Sequence, residues 1–156
     1  MEFYKMDHKV NNKDLQKFNF ENQRLGVIIH IEDDDGKILL QQRGIKSRDE
    51  NGLYEDVGGS LENSDVDFKS AIIREMQEEM GTDAKIEILD STDIYHILKN
   101  NTNWVFVIFK GKYISGNINI MEPEKCMGYK FFTYEEAIKS NLVSEGCKFL
   151  IKSINE

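Results

Sequence analysis

Short apolar runs recur along the chain, and their composition predicts several β-strands. Residues 25–31 are rich in Val and Ile, and a turn signal at 33–36 separates them from a second strand pattern at 37–42. Residues 104–109 are continuously apolar, which is typical of a central strand that is buried on both faces. The shorter strand candidates are residues 53–57, 85–93 and 129–132.

Helical signals lie in the middle and at the end of the chain. Residues 67–80 have helical character, and Gly81 follows where a C-terminal cap belongs. Thr133 and Glu136 form a capping box that opens a short helix. Ser144 caps a last helix, whose apolar residues follow the i, i+3, i+4, i+7 spacing: Cys147, Leu150, Ile151 and Ile154. This order of elements predicts an α/β protein in which helices pack on the faces of a mixed sheet.

The length and composition fit one globular domain. The chain has 156 residues, of which 40% are hydrophobic and 31% charged, so we expect a single domain over residues 1–156. Residues 1–23 are a weakly patterned N-terminal extension, for which a short helix, an edge strand and a dimer arm all remain open. The net charge of −8 argues against a nucleic-acid partner, which requires clustered Lys and Arg.

Two further features bear on the cellular compartment. No apolar run reaches membrane-spanning length, and the first 20 residues are polar and charged throughout, so we expect a cytoplasmic protein without a membrane partner. Cys126 and Cys147 have neither CxxC nor metal-site spacing, and we expect two reduced thiols in the core.

Three glutamates share one face of the central helix. Glu75, Glu78 and Glu79 stand at i, i+3 and i+4, so they fall within an arc of roughly 100°. Like charges at this spacing repel, and no lysine lies between them to relieve the repulsion. Convergent carboxylates suit a hard divalent cation such as Mg²⁺, which is often shared with substrate phosphates. The alternative is a solvated helix face that is simply acidic.

The neighbours of these glutamates favour a binding site. Gly58 and Gly59 end a strand candidate just before the loop that feeds the helix, and paired glycines allow close approach of the backbone. A carbonyl group there can point at the same cation. Arg74 can orient a carboxylate through a forked hydrogen bond.

This stretch resembles the signature of the Nudix hydrolases, G-x5-E-x7-R-E-U-x-E-E-x-G-U, in which U is aliphatic. In this chain it covers residues 58–82, GGSLENSDVDFKSAIIREMQEEMGT. Residues 74–81 match the second half of the signature at every fixed position, and residues 58–62 resemble the family's G-G-x-U-E opening.

The loop between the two halves departs from the signature. Counted from Gly59, position six is Asp65, and eight residues rather than seven separate it from Arg74. Asp67 is the other candidate for this acidic position. We interpret the difference as a one-residue insertion before the helix. Thr82 also stands where the signature has an aliphatic residue.

The resemblance covers roughly residues 24–140 and implies a Nudix-type α/β/α sandwich around a mixed sheet. It also implies a metal site, in which Glu75, Glu78 and Glu79 would hold Mg²⁺ or Mn²⁺ together with the backbone carbonyl of Gly58. The same glutamates and Arg74 form the implied catalytic set, with Glu78 or Glu79 as the general base.

Two further segments resemble parts of the family. A strand that ends at Arg43 looks like one whose arginine reaches the substrate phosphates, although a surface charge is the alternative. Residues 119–126 resemble a segment of MutT-like nucleoside triphosphate pyrophosphatases, in which Glu122 or Glu124 would add a metal ligand or a base. In the strand that follows, Tyr129 stands where Trp is usual.

Substrate contacts are implied for three residues: Arg43, Gly59 and Tyr129. Stacking on a nucleobase would fall to aromatic side chains that are otherwise core residues: Tyr54, Trp104, Phe106, Tyr129 and Phe131. The histidines are scattered and receive no role: His8, His30 and His96.

The function implied is Mg²⁺-dependent hydrolysis of a nucleoside triphosphate or another nucleoside diphosphate-X compound, which releases nucleoside monophosphate and pyrophosphate or phospho-X. Hydrolysis of ADP-ribose or of a dinucleoside polyphosphate is the alternative substrate choice. A catalytically silent Nudix domain that senses or binds nucleotides is an alternative of another class. The expected partner is a small nucleotide, and a homodimer remains open.

Overall fold

The computed structural model describes residues 2–9, 23–47, 51–99 and 102–155. Within these ranges the chain forms eight strands and three helices. In chain order they are β1 (Glu2–Lys9), β2 (Gln23–Glu32), β3 (Ile38–Arg43), β4 (Tyr54–Glu55), β5 (Val57–Ser60), α1 (Phe68–Met80), β6 (Lys85–Lys99), β7 (Thr102–Ser115), β8 (Cys126–Phe132), α2 (Tyr134–Lys139) and α3 (Glu145–Ile154).

The strands form one mixed sheet with the order β1-β6-β7-β2-β3-β4, in which β5 also pairs with β2 and β8 with β3. β2 runs parallel to β7, and the other strand pairs are antiparallel. β2 pairs with β5 at residues 26–29 and with β3 only at Ile31 and Glu32. The sheet therefore divides into two parts, one built around β2 and the other around β3, and the β2–β3 hairpin joins them.

Alternation along the central strands separates two packed faces. On one face, Val27 of β2 and Val107 of β7 join the core beneath α1. On the other face, Ile108 of β7 packs with Leu150 of α3. A third cluster joins β3 and β8 to α2 and α3: Ile38, Leu40, Phe132, Ala137, Val143, Cys147 and Ile151. Helices thus cover both faces of the sheet, and the predicted α/β/α sandwich is confirmed.

Most of the predicted elements are found in the structure. The apolar run at 104–109 lies in β7 and is buried on both faces, as Val107 and Ile108 illustrate. Both hydrogen bonds of the capping box form between Thr133 and Glu136. Gly81 ends α1 at a positive φ of 79°, a conformation that favours glycine. Cys126 and Cys147 are buried free cysteines.

The predicted strand at 53–57 is wrong in its extent. The chain forms two short strands that are interrupted at Asp56, and β5 continues through Gly58 and Gly59. The continuation occurs because β5 pairs with β2, so the two glycines lie within a ladder, opposite Ile28 and Val27. The predicted strand at 85–93 is also too short, since β6 extends to Lys99 alongside β7.

The structure describes only part of the N-terminal segment, residues 1–23. Glu2–Lys9 forms an edge strand that pairs antiparallel with β6, which is one of the three alternatives that the sequence left open. Residues 10–22 are outside the described ranges. In the described part of the chain, no helix combines the length and apolarity needed to cross a membrane.

Candidate active site

Helix α1 presents both apolar residues and a carboxylate to the sheet. It begins at Asp67, whose side chain accepts a hydrogen bond from the backbone N–H of Ser70 at 2.7 Å. Its buried stripe consists of Phe68, Ala71, Ile72, Glu75 and Met80. Glu75 belongs to this stripe because it follows Ala71 by four positions and Ile72 by three. Burial raises the pKa of Glu75, and the nearby Arg74 opposes that shift.

The glycine pair of β5 lets the strand approach this carboxylate. A Cβ atom at Gly59 would lie 2.4 Å from Oε1 of Glu75, and one at Gly58 would lie 2.2 Å from the carbonyl oxygen of Val27. Both distances are shorter than non-bonded contacts allow. A side chain at either position would therefore displace the strand or the glutamate.

Arg74 connects the loop before α1 with the helical glutamates. Its Nε and Nη2 atoms donate to the two carboxylate oxygens of Asp65, each at 2.9 Å. Its Nη1 atom lies 3.1 Å from Oε1 of Glu75 and 3.2 Å from both oxygens of Glu78. The hydrogen bond from Arg74 lowers the pKa of Asp65, which keeps this carboxylate charged.

The two candidates for the acid before the helix have different roles. Asp65 makes the forked pair with Arg74 and accepts a further hydrogen bond from the backbone N–H of Glu62 at 2.8 Å. Asp67 instead caps α1. Between them Val66 is 80% exposed, so the loop accommodates an additional residue at its surface.

Glu79 lies deeper than Glu78, although both belong to the predicted acidic face. Burial, together with the charges of Glu75, Glu55 and Glu122, raises the pKa of Glu79 to about 9. Its Oε2 atom is buried and has no hydrogen-bond partner among the described residues. By contrast, 46% of the side chain of Glu78 is exposed.

Gln41 and Glu55 belong to the site, and our sequence analysis missed both. Gln41 is 5% exposed and donates a side-chain hydrogen bond to Glu79, which lowers the pKa of that carboxyl. Alternation along β3 places Gln41 on the face of Leu39, and a polar residue in so apolar a strand was the signal that could have identified it. Glu55 had no comparable signal, because its proximity to Glu79 depends on the pairing of β4 with β3, which places Glu55 opposite Gln41.

Two of the predicted substrate-binding residues, Arg43 and Tyr129, make contacts with other side chains and backbone groups of the protein. Arg43 forms an ion pair with Glu55 at 2.5 Å. Tyr129 stands opposite Gln41 in the β3–β8 ladder, and its hydroxyl donates to the backbone carbonyl of Glu79 at 2.8 Å. Tyr129 therefore fixes the end of α1, and burial raises the pKa of its phenol.

Two further predicted residues lie toward the surface. Glu122 forms an ion pair with Lys125 at 3.2 Å, and its charge contributes to the raised pKa of Glu79. Glu124 is 64% exposed and pairs with Lys46 at 3.0 Å. Of the two alternatives that the sequence offered, Glu122 is the one coupled to the glutamates of α1.

The other candidate stacking residues contact neighbouring rings. Trp104 stacks on Phe106 with centroids 5.3 Å apart. Tyr54 and Phe131 make edge contacts with Phe132 and Tyr113, at 5.0 and 5.5 Å. All four rings are partly buried, and each of them contacts a neighbouring ring.

The acidic group has the chemistry of a divalent-cation site. Among the described residues, no three His, Cys, Asp or Glu side chains are already arranged to hold a metal ion. Arg74 accounts for part of this, since it binds the carboxylates of Glu75 and Glu78. The donors available are nonetheless oxygen atoms, which hard cations prefer, and one buried oxygen of Glu79 has no partner. These residues therefore fit a divalent cation.

Comparison with known proteins agrees with this geometry. Residues 22–150 match the model of the NUDIX domain. The CTP pyrophosphohydrolase of Escherichia coli K12 is 43% identical over 60 residues, which are 38% of this chain and 43% of that protein. The match thus spans less than half the length of this curated relative.

Solved structures share the fold at low sequence identity. The MutT protein from Methanosarcina mazei Go1 has a TM-score of 0.69 and 17% identity, with 88% of this chain and 96% of that chain covered. The NUDIX domain of Shewanella oneidensis NrtR, in complex with ADP ribose, has a TM-score of 0.68 and 19% identity, with 91% and 94% covered. Nudix hydrolases generally use divalent metal cations. The family resemblance is confirmed, and the chain belongs to the NUDIX domain family.

Proposed function

We propose that the protein is a Nudix pyrophosphohydrolase that cleaves the diphosphate linkage of a nucleoside triphosphate, or of another nucleoside diphosphate-X compound, with Mg²⁺. The observation that carries this proposal is the group of Arg74, Asp65 and the three α1 glutamates, which is complete in a chain of this family. The curated relative in E. coli is a CTP pyrophosphohydrolase, which supports a nucleoside triphosphate as the substrate class.

The side chains divide the work in a definite way. Glu75, Glu78 and Glu79, with the carbonyl of Gly58, would hold the cation, and Mn²⁺ would substitute for Mg²⁺. When bound, such a cation neutralises phosphate charge and makes water more acidic. Arg74 keeps two of the glutamates in place through its hydrogen bonds.

Glu79 is the better candidate for the general base. It lies deeper than Glu78, and its buried Oε2 atom has no hydrogen-bond partner among the described residues, so this oxygen is available to accept a proton. Glu78 is more exposed and is paired with Arg74. Gln41 would hold Glu79 in position by donating to its carboxylate.

A nucleotide-binding module without catalysis is the second candidate function. It is favoured by the absence of any ready-made arrangement of three metal-binding side chains among the described residues. The NrtR domain, which shares the fold, was solved with ADP ribose bound. In this alternative Arg74 would hold the glutamates permanently instead of yielding them to a cation.

Product analysis separates these functions. Purified protein with Mg²⁺ is incubated with nucleoside triphosphates, ADP-ribose and dinucleoside polyphosphates, and Glu78→Gln serves as the variant that removes a proposed ligand. We expect nucleoside monophosphate and pyrophosphate from a triphosphate, and loss of both products in the folded variant. Cleavage of only ADP-ribose or dinucleotides would change the substrate but retain the chemistry. Binding without turnover would favour the second candidate.

A further inference from the structure

Asp56 occupies the point where the chain passes between the two parts of the sheet. Glu55, just before it, pairs with Gln41 of β3, and Val57, just after it, pairs with Ile29 of β2. Asp56 itself belongs to neither ladder. The backbone at Asp56 therefore determines how β4 is placed relative to β5.

The side chain of Asp56 is held on the face of the sheet away from α1. Its Oδ1 atom lies 3.5 Å from Nδ1 of His30, and both side chains are 2% exposed. Its Oδ2 atom accepts from the thiol of Cys147 in α3 at 3.5 Å. On its other side, His30 contacts Glu32, with Nε2 3.1 Å from Oε1.

The imidazole of His30 and the carboxylate of Asp56 face each other within the core at 3.5 Å, and neither of the two facing atoms has a hydrogen-bond partner among the described residues. Burial alone disfavours a charged imidazole, but the carboxylates of Asp56 and Glu32 outweigh it and raise the pKa of His30 to about 9. A buried ion pair is often no more stabilising than apolar residues of similar volume. A gain in folding stability therefore does not explain why His30 and Asp56 lie in the core. Their role in fixing the backbone position at Asp56 explains it better.

Residues on either side of Asp56 face the proposed site. The charge of Glu55 acts on Glu79, and Glu55 also binds Arg43. Gly59 lies so close to Glu75 that a Cβ atom at this position would collide with the glutamate carboxylate. A shift of the backbone at Asp56 would consequently be transmitted to both groups.

We propose that His30 and Asp56 are positioning residues, whose ion pair fixes the passage from β4 to β5 and thereby places Glu55 and the glycine pair against the glutamates of α1. This inference rests on the proposed function. It assigns to the α3 face a role in the geometry of the opposite face.

The decisive variant is His30→Leu combined with Asp56→Leu, which removes both charges and leaves neither partner alone. We expect this protein to fold with a melting temperature equal to or above that of wild type. We also expect kcat to fall about tenfold, because displacements of about 1 Å near reacting groups have effects of that order or larger. Mn²⁺ binding, measured by calorimetry without substrate, should weaken several-fold.

Two further variants supply the controls. His30→Asn keeps an N–H group near the position of Nδ1 and should retain more activity than His30→Leu alone. Ile151→Val loosens the α3 core without touching the pair, so it should lower the melting temperature and leave kcat and Mn²⁺ affinity unchanged.

The outcomes distinguish this proposal from the one that it rests on. A folded double variant with wild-type kcat and Mn²⁺ affinity would overturn the positioning role and leave the hydrolase intact. If wild type binds Mn²⁺ but cleaves no nucleotide, the hydrolase proposal fails and the Mn²⁺ measurement still decides this one. If wild type neither binds Mn²⁺ nor cleaves nucleotides, both fail.

Discussion

On each face of the sheet, one basic side chain lies among carboxylates. The two faces differ in how much negative charge this side chain leaves unneutralised. On the α1 face, Arg74 contacts four carboxylates, those of Glu62, Asp65, Glu75 and Glu78. On the α3 face, His30 contacts two, those of Glu32 and Asp56.

The difference in balance corresponds to a difference in role. One guanidinium cannot neutralise the four carboxylates that it contacts on the α1 face, so this face retains negative charge that a cation could neutralise. The group around His30 is closer to balance and has a buried pair at its centre. The first arrangement suits a ligand that brings cations, and the second suits a fixed structural element.

The largest expected effect comes from Glu79→Gln. Loss of a general base lowers kcat by about 10²–10⁴-fold. Because the pKa of Glu79 in the folded protein is raised above its unfolded value, ionisation of this carboxyl destabilises the fold as pH increases toward 9. The glutamine variant should therefore be at least as stable as metal-free wild type at pH 8, as thermal unfolding would reveal.

Glu87→Gln is the matched control, since Glu87 is an exposed glutamate of β6. It should leave kcat unchanged. Wild-type turnover in Glu79→Gln would remove Glu79 from the reaction and weaken the contrast between the two faces.

Arg74→Lys should have the next largest effect. Lysine keeps the charge but cannot make the forked pair with Asp65 while also reaching Glu75 and Glu78. Groups that orient metal ligands typically affect activity by about 10–100-fold, so we expect kcat/KM to fall by that factor. Arg24→Lys, which alters a cation above the Trp104 ring, should change kcat/KM by less than about twofold. Equal activity in the two variants would mean that the fork does not matter.

Gly59→Ala measures how closely β5 approaches the glutamates. The added methyl group would meet the carboxylate of Glu75, whereas Gly128→Ala meets no atom within 4 Å. Overpacking costs about 1–3 kcal/mol, and we expect a loss of unfolding free energy in this range for Gly59→Ala only. Urea unfolding supplies the free energies, and a steady-state assay should detect lower kcat in the same variant. Similar values for both variants would indicate that Glu75 moves aside freely.

Much of the α1 face could be predicted from the sequence because its chemistry is local. The spacing of Glu75, Glu78 and Glu79 fixes their direction on a helix, and Arg74 is their neighbour in the chain. The different roles of Asp65 and Asp67 could not be predicted, since both precede the helix in the same loop. Only the folded structure shows that Asp65 binds Arg74 whereas Asp67 caps α1.

The α3 face was missed because its contacts are distant in the chain. His30, Asp56 and Cys147 come from β2, the β4–β5 junction and α3, and no spacing in the sequence connects them. The break at Asp56 was hidden for a similar reason. An apolar run followed by glycines predicts one strand, whereas the pairing with two different partners divides it.

The last expected effect concerns pH and separates the two faces by stability instead of activity. The folded pKa of His30, about 9, exceeds the value of about 6.5 for an unfolded histidine. The folded state therefore binds more protons between these values, so the stabilisation is complete below about pH 6.5 and is lost as pH rises through about 9. The difference corresponds to about 3 kcal/mol between pH 6 and pH 9.

The double variant His30→Leu/Asp56→Leu isolates this contribution. Glu79 also reduces stability with rising pH, but it is present in both proteins and cancels when the two curves are subtracted. Urea unfolding of metal-free protein at pH 6, 7, 8 and 9 should give a wild-type free energy of unfolding that, relative to the double variant, is highest at pH 6 and decreases toward pH 9. Parallel curves would mean that folding does not raise the pKa of His30, which would then be mostly neutral above about pH 7 in the folded protein. The α3 face would then hold uncompensated carboxylates, as the α1 face does, and the contrast in charge balance would disappear.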